Sequence, residues 1–278
     1  MKRHYQVAFS LLLVPFLFSA DSAERYEPLA GLAAQAAEPS IRRASVEESG
    51  YLVSVRGSGF CSGAPIAGTN LVITAAHCVV EPGTDAVGAR YDLRVERSGV
   101  RYEVLEVYVD MSWKDGVRPQ DDVAVLVMES PIPGPGLHLA DSFEPDQSAT
   151  LVGFQPSGKG TWLRGSDYDS HSEMMSTSYA NHATAPAACS IPATSFRWSK
   201  NDHWWVPCGM VPGASGGPLI AAGVDGPTLV GVTSSVDFKL ESNGVAPVEK
   251  VQYLLRHREL YRKVPGIAAP CCTSGNQR

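Results

Sequence analysis

The chain has 278 residues, enough for one large domain or two small ones, and with 44% hydrophobic and 19% charged residues it can fill a sizeable core. Its formal net charge of -6 argues against nucleic acid as the main partner, because phosphate binding needs a basic surface. The 26 glycines and 20 prolines favour many short strands joined by turns over long helices.

Residues 1–23 have the layout of a secretory signal peptide. Lys2 and Arg3 precede an almost wholly apolar run from Val7 to Ala20, and small residues follow it. This run is shorter than the roughly 20 residues that a membrane-spanning helix needs, and an N-terminal anchor stays open as the alternative. We therefore predict a secreted protein, extracellular or periplasmic, with no membrane partner once the signal peptide is removed.

Residues 24–48 are rich in alanine and charge and contain few large apolar residues. We interpret them as a propeptide, which would make the chain a zymogen, or as a flexible N-terminal arm. The basic pair Arg42 and Arg43 is either a processing site or a solvated surface pair.

From residue 50 onward, short apolar or alternating runs bounded by Gly, Pro, Asn or Asp predict β-strands. They cover residues 51–55, 71–74, 91–96, 102–109, 123–128, 149–154, 218–223 and 228–236. The stretch "SPIPGPG" at 130–136 is too rich in proline and glycine for a helix or a central strand, so we interpret it as a linker. The pattern predicts two sets of strands, at about 49–130 and about 145–247.

The last predicted element is an amphipathic helix at about 248–263. Val248, Val251, Leu254 and Leu255 recur at helical spacing, after a proline and before "PG". We predict one domain over residues 49–264, followed by a tail at 265–278.

The motif "GASGGPLI" carries the strongest chemical signal. Glycines 213, 216 and 217 surround Ser215, and glycine is tolerated where the backbone takes unusual angles or approaches another group closely. Such a loop can present the Ser215 hydroxyl, while the amides of Gly213 and Ser215 converge as a pocket for an oxyanion. The alternative is an ordinary turn with an incidental serine.

A serine needs a neighbouring base to act as a nucleophile, and His77 in "TAAHC" is the candidate. The base needs a carboxylate behind it, which "DDVAVL" supplies at Asp122 or at its neighbour Asp121. The alternative for His77 is a histidine that only packs in the core.

These motifs resemble those of the chymotrypsin-like (trypsin-fold) serine proteases, from about residue 50 to 264. The matching blocks, in order, are "GFCSGAPIAGTNLVITAAHC", "DVAVL", "LVGF", "GASGGPLI" and "LVGVTSS". The resemblance implies an all-β fold of two six-stranded antiparallel β-barrels with a C-terminal α-helix and a site in the cleft between the barrels. It implies neither a metal nor another cofactor.

The resemblance also implies a role for each matching residue. His77 is the general base, Asp122 orients it, and Ser215 attacks the scissile carbonyl, while the amides of Gly213 and Ser215 hold the oxyanion. Asp122 is preferred to Asp121 because "DVAVL" aligns with the family's block. Ser234 falls where the family places a substrate-binding serine beside the aspartate.

Six cysteines in an exported chain indicate disulfides. The sequence contains no CxxC pair, so the cysteine spacing does not indicate a metal site. The resemblance implies a Cys61–Cys78 bridge flanking the base, and Cys189–Cys208 is then the next pairing by elimination. The adjacent pair at 271 and 272 is left open: these cysteines bond to each other, bond between chains or stay reduced.

Ala214 departs from the family's pattern. Animal members carry an aspartate there, which pairs with the new N-terminal amine after zymogen cleavage and orders the loop around the nucleophile. The chain also lacks the "IVGG" start. Two hypotheses stay open: an active serine endopeptidase whose loop is ordered by packing, and an inactive protease-like binding protein. An esterase is disfavoured because such enzymes carry Ser, Asp and His in that order.

Specificity is weakly encoded. No acidic residue lies between Cys208 and Ser215, which argues against cleavage after Lys or Arg. Val236 and Gly244 fall at the expected pocket walls, and the branched Val236 would narrow the entrance. We predict a protein or peptide substrate with a small or medium apolar residue before the cut. Glutamate is the alternative, with a pocket histidine from His171, His182 or His203.

Overall fold

The computed structural model describes residues 40–57, 59–80, 93–110, 118–158, 161–162, 183–237, 240–257 and 262–263. The predicted signal peptide, the predicted arm up to residue 39 and the predicted tail lie outside these residues, as do His171, His182, Cys271 and Cys272. Among the described residues, no helix is long and apolar enough to cross a membrane.

Strands dominate the described part of the chain. In chain order they are β1 (Ile41–Arg43), β2 (Val53–Arg56), β3 (Phe60–Pro65), β4 (Leu71–Thr74), β5 (Arg94–Arg97), β6 (Val100–Tyr102), β7 (Val104–Val109), β8 (Ala124–Met128), β9 (His138–Leu139), β10 (Ala149–Gly158), β11 (Thr161–Trp162), β12 (Ala183–Ile191), β13 (Arg197–Trp198), β14 (Trp204–Val206), β15 (Pro218–Gly223), β16 (Gly226–Asp237), β17 (Ser242–Pro247) and β18 (Arg262–Lys263). The α-helices in this described part are α1 (Val46–Gly50) and α2 (Val248–Arg256), and short 3₁₀ turns cover Ala76–Cys78, Pro119–Asp121 and Ala193–Ser195.

The strands form two sheets. The first has the order β18-β7-β8-β4-β3-β2-β5-β6, and the second has the order β1-β12-β10-β15-β16-β17-β14-β13, with β11 on β10 and β9 on β16. Apart from the short β9–β16 pair, the paired strands named here run antiparallel. The predicted all-β fold with two sheets and a C-terminal helix is confirmed. The sheets contain eight and ten strands rather than six each, because strands of two or three residues extend them.

Strand β8 explains how two sheets share one core. Its sequence "AVLVM" is almost continuously apolar, which suits a strand that is covered on both faces. Leu126 packs into the core of the first sheet, while Val125 joins a cluster that includes Leu229 of β16 and Val251 of α2. That second cluster therefore holds the first sheet, the second sheet and the terminal helix together.

The start of the domain differs from the prediction. Residues 41–48 were predicted to belong to a propeptide or arm, but Ile41–Arg43 pairs with Cys189–Ala187 of β12. The short helix α1 then follows, begun by a capping box between Ser45 and Glu48. Arg42 adds a two-pronged ion pair with Glu48 at 2.7 Å. Backbone pairing and capping thus anchor a segment that carries few large apolar residues.

The end of the domain differs as well. The helix was predicted to reach residue 263, but α2 ends at Arg256. Arg262 and Lys263 instead pair with Val109 and Tyr108 at the edge of the first sheet. The open hydrogen-bonding groups of that sheet edge give this backbone an alternative to continuing the helix.

The linker at residues 130–136 contains no strand or helix. The guanidinium of Arg97 donates to the carbonyl oxygens of Pro133 (3.0 Å) and Pro135 (2.9 Å), and also to that of Gly50. The prolines at 131, 133 and 135 have no N–H to donate to a sheet or helix, so one arginine of the first sheet fixes the path to the second.

Docking of α2 is expected to be a main source of stability. Leu254→Ala removes a side chain that is 2% exposed, so it should lower the free energy of unfolding by about 2–5 kcal/mol. The matched change Leu240→Ala, at a side chain 64% exposed, should alter it by about 0.5 kcal/mol or less. Chemical denaturation of both variants tests this, and equal losses would mean that α2 is not docked as described.

Candidate active site

A tight 3₁₀ turn presents His77. The turn Ala76–Cys78 follows β4, and its outer residues are fully buried while the His77 side chain keeps 29% exposure. The disulfide between Cys61 and Cys78 ties the turn to β3. The Sγ atom of Cys78 lies 3.7 Å from Nε2 of His77. Burial on both sides and a covalent link therefore fix the imidazole at the surface of the first sheet.

Asp122 lies at the end of another 3₁₀ turn, just before β8. Its carboxylate is 1% exposed and accepts three hydrogen bonds. Oδ1 accepts from the His77 amide at 2.9 Å, and Oδ2 accepts from His77 Nδ1 at 2.7 Å and from the Ser234 hydroxyl at 2.6 Å. Because a carboxylate can only accept, Nδ1 carries the proton, and the lone pair of the neutral ring is on Nε2.

The charge of Asp122 governs the ionisation of His77. Burial acts to lower the pKa of His77, but the negative charge of Asp122 and its hydrogen bond act to raise it and prevail. The net pKa of His77 therefore lies above its ordinary value of 6.5. The pair stabilises the fold below the unfolded-state pKa, and that contribution is lost as the pH rises through the folded-state pKa.

Asp121, the other candidate carboxylate, faces different partners. It bonds to Arg118 (3.0 Å) and to Lys250 of α2 (3.0 Å), and it is buried. The two neighbouring aspartates are thus divided between two tasks: Asp122 contacts His77, and Asp121 ties the same turn to the terminal helix.

Ser215 lies in a loop that we call the serine loop, residues 209–217, between Cys208 and β15. Gly213 has φ +109° and Gly216 has φ +78°, a region that favours glycine. Both also approach neighbouring chain closely: a Cβ on Gly213 would lie 2.8 Å from the carbonyl oxygen of Phe154, and one on Gly216 would lie 2.9 Å from the amide of Ala75. Gly213 therefore lets the serine loop pack against β10, and Gly216 lets it pack against the segment that leads into His77.

The amides predicted to bind an oxyanion lie on either side of Ala214. Among the described residues, neither the Gly213 amide nor the Ser215 amide donates to a protein acceptor. The Ala214 amide between them donates to the Val211 carbonyl at 3.2 Å. The serine loop thus keeps two backbone donors available for another molecule.

Four buried polar side chains brace the serine loop, and the sequence analysis identified none of them. They are Ser62, Gln155, Thr233 and Asn243, which bond to Gly213 (2.6 Å), Val211 (3.1 Å), Gly217 (3.0 Å) and Met210 (2.8 Å). They come from four different strands and share no motif. Only their burial, which a single sequence does not reveal, separates them from surface polar residues.

Both predicted disulfides of the described residues are present, Cys61–Cys78 and Cys189–Cys208. Sulfur atoms of Cys61 and Cys78 lie with a ring nitrogen of His77 in one group whose atoms are within 4.8 Å of each other. Metal ligation needs thiolates, and these two sulfurs are bonded to each other. The group is therefore a braced histidine rather than a metal centre.

The predicted pocket residues lie on adjacent rungs of the β16–β17 ladder. Gly244 pairs with Ser235, and Val236 pairs with Asn243. Neighbouring rungs face opposite sides of a sheet, so Val236 does not share the face of Gly244. Beside Gly244 lie the Ser235 hydroxyl and the rings of His203 and Trp205, each ring 3.6 Å from where a Cβ would be.

Two curled antiparallel sheets, a histidine bonded to a buried aspartate and a serine in a glycine-rich loop together define a protein of the serine-protease class. The family model described as Trypsin matches residues 40–255, more than half of the chain. The chain therefore belongs to the trypsin family, as the sequence motifs implied.

The chain is also similar to a protein named "Trypsin" from Saccharopolyspora erythraea, with 31% identity over 115 residues. The alignment covers 39% of this chain and 50% of the relative, so the chain spans about half the length of that relative.

The raised pKa of His77 can be measured directly. In Asp122→Asn the negative charge is lost while burial of the ring remains, so the pKa of His77 should fall below that of the unchanged protein. In Asp121→Asn it should change much less, because Asp121 contacts Arg118 and Lys250. NMR titration of the imidazole resonances reports both values. A shift of equal size in the two variants would refute the assignment of Asp122 as the partner of His77.

Proposed function

We propose that the protein is a secreted serine endopeptidase that cleaves peptide bonds through an acyl-enzyme. The observation that carries this proposal is the network of His77, Asp122 and Ser234, which joins both sheets beside the serine loop. This arrangement supplies a base, a group that orients it, and a candidate nucleophile in a loop with two available amides.

The first half of the proposed reaction forms the acyl-enzyme. Ser215 Oγ bonds to the scissile carbonyl carbon while its proton passes to His77 Nε2. The carbonyl oxygen becomes an oxyanion, held by the amides of Gly213 and Ser215. His77 then gives the proton to the leaving amine as the carbon–nitrogen bond breaks.

The second half regenerates the enzyme. Water replaces the amine, gives a proton to His77 and attacks the acyl carbon, and the proton returns to Ser215 Oγ as the ester bond breaks. Asp122 stabilises the imidazolium in both halves. Its other two hydrogen bonds, from the His77 amide and the Ser234 hydroxyl, keep the carboxylate in place while the ring changes charge.

Export supports the same proposal. Residues 1–23 read as a signal peptide, and two disulfides suit an oxidising compartment outside the cytoplasm. Ile41–Arg43 is already paired within the second sheet, so removal of a propeptide would take place before Ile41.

For specificity we propose a small or medium apolar residue before the cut. Met210 and Val211, which precede the nucleophile, are buried and apolar, and no acidic residue lies between Cys208 and Ser215. A substrate lysine or arginine would enter such surroundings without a paired charge, which is costly.

One observation favours glutamate as a second candidate. His203 is 2% exposed, and neither its Nε2 nor the Ser235 hydroxyl has a hydrogen-bond partner among the described residues. Burial lowers the pKa of His203, although the Asn201 carbonyl and the Asp202 charge oppose this. A substrate carboxyl group would give both unpartnered groups a hydrogen-bonding partner and would raise the pKa of the ring.

Covalent labelling separates the enzyme from an inactive binding protein. A peptidyl phosphonate should label the unchanged protein but not Ser215→Ala, and Ser215→Ala should lose about 10⁴-fold or more in kcat. The control Ser190→Ala, at an exposed serine on β12, should keep both label and turnover. Absence of label from the correctly folded, unchanged protein would favour the binding-protein alternative.

A peptide panel that varies only the residue before the cut tests specificity. We expect the highest kcat/KM with Ala, Val or Leu, because Met210 and Val211 before the nucleophile are buried and apolar and no acidic residue lies between Cys208 and Ser215. A maximum at Glu that is lost in His203→Gln, but kept in the exposed control His138→Gln, would establish the second candidate instead. A maximum at Arg or Lys would contradict both.

A further inference from the structure

We propose that Ser62 is a positioning residue that holds the serine loop in its catalytic conformation. Residue 214 is an alanine, so an ion pair at that position cannot order the loop in this chain. The inference rests on the proposed function, because it assigns Ser62 to the oxyanion pocket of that site. Ser62 itself touches neither substrate nor reacting atoms and acts through Gly213 and Ser215.

Ser62 contacts both residues that supply the pocket amides. Its hydroxyl donates to the Gly213 carbonyl at 2.6 Å, and its own amide donates to the Ser215 carbonyl at 2.8 Å. The side chain is completely buried on β3. A hydroxyl in such a place is costly to leave unpaired, so its bonds are held firmly.

The hydroxyl is itself fixed from a second side. It accepts a hydrogen bond from the Phe154 amide of β10 at 2.8 Å, which leaves its proton directed to Gly213. The Ser62 carbonyl accepts from the Thr74 hydroxyl at 2.7 Å. Ser62 thus links the first sheet, the second sheet and the serine loop at one point.

These bonds set the orientation of the peptide group between Gly213 and Ala214. That group is planar, so fixing its oxygen and its N–H fixes the whole plane. Ser62 holds the oxygen, and the Val211 carbonyl holds the Ala214 N–H at 3.2 Å. The plane lies between the two amides proposed to bind the oxyanion, so its rotation would turn their N–H groups apart.

Ala214 shows why the serine loop needs such a brace. Its methyl group carries no charge and is 1% exposed. A Cβ added to Gly153 of β10 would lie 2.8 Å from the Ala214 Cα, so the two backbones are in close contact. The serine loop is therefore ordered by packing and neutral hydrogen bonds.

The test compares Ser62→Ala with Ser54→Ala. Ser54 is the direct cross-strand neighbour of Ser62, is also buried, and lies outside the bonds to the serine loop given above. Ser62→Ala should lower kcat by about 10- to 100-fold, which does not exceed the loss expected when one oxyanion-binding donor is removed. KM should change by no more than about twofold. A peptide aldehyde, which forms a tetrahedral adduct, should bind more weakly by a similar factor. Ser54→Ala should change neither quantity.

Two further variants and readouts separate positioning from general stability. Ser62→Thr keeps the hydroxyl and should recover most of kcat, provided that thermal unfolding shows a folded protein. Rates are expressed per site titrated with the phosphonate, so misfolded molecules do not count. If Ser62→Ala matches Ser54→Ala in kcat per titrated site and in aldehyde affinity, the inference is wrong.

Hydrogen exchange keeps the inference testable even if the proposed function fails. The Ala214 amide should exchange at least about tenfold faster in Ser62→Ala than in Ser54→Ala, because its peptide group loses one of two restraints. A protein that takes no phosphonate label but shows this exchange would lack the proposed activity while Ser62 still braces the loop. Unchanged exchange at Ala214 would overturn the role of Ser62 in either case.

Discussion

The buried carboxylate of Asp122 is the constraint around which the two sheets are joined. An anion removed from water is stable only if its oxygens accept enough hydrogen bonds. His77 supplies two of these bonds from the first sheet, and Ser234 supplies one from the second. The sheets must therefore keep their relative position for Asp122 to accept all three bonds, and the charge and hydrogen bond of Asp122 in turn raise the pKa of His77.

The serine loop follows a different physical rule. Within the described part of the chain no ion pair orders it. Buried side chains from strands of both sheets hold its carbonyl and amide groups, with Ser62 at the junction. Such bonds are short and directional, so they can define the direction of an amide without a charge nearby. One half of the site thus depends on a buried charge, and the other half depends on neutral polar contacts.

Elements with distinctive apolar runs or motifs could be predicted from the sequence. Apolar runs gave β4 and β15 with their observed bounds, and motifs identified His77, Asp122 and Ser215 as candidates. Strands β3, β12 and β17 were missed because they consist largely of Ala, Ser, Gly, Pro and Cys, residues with little strand preference. These small residues allow neighbouring segments of the same chain to pack closely, and that packing exists only in the folded protein. The brace at Ser62 escaped notice for the same reason.

A crystal structure of the protein bound covalently to a peptidyl phosphonate tests the central claim most directly. The account predicts phosphorus bonded to Ser215 Oγ, one phosphoryl oxygen about 2.7–3.1 Å from both the Gly213 and Ser215 amides, and His77 Nε2 beside the adduct with its Nδ1 still bonded to Asp122. A phosphorus atom on another residue, or a phosphoryl oxygen that contacts neither amide, would contradict it.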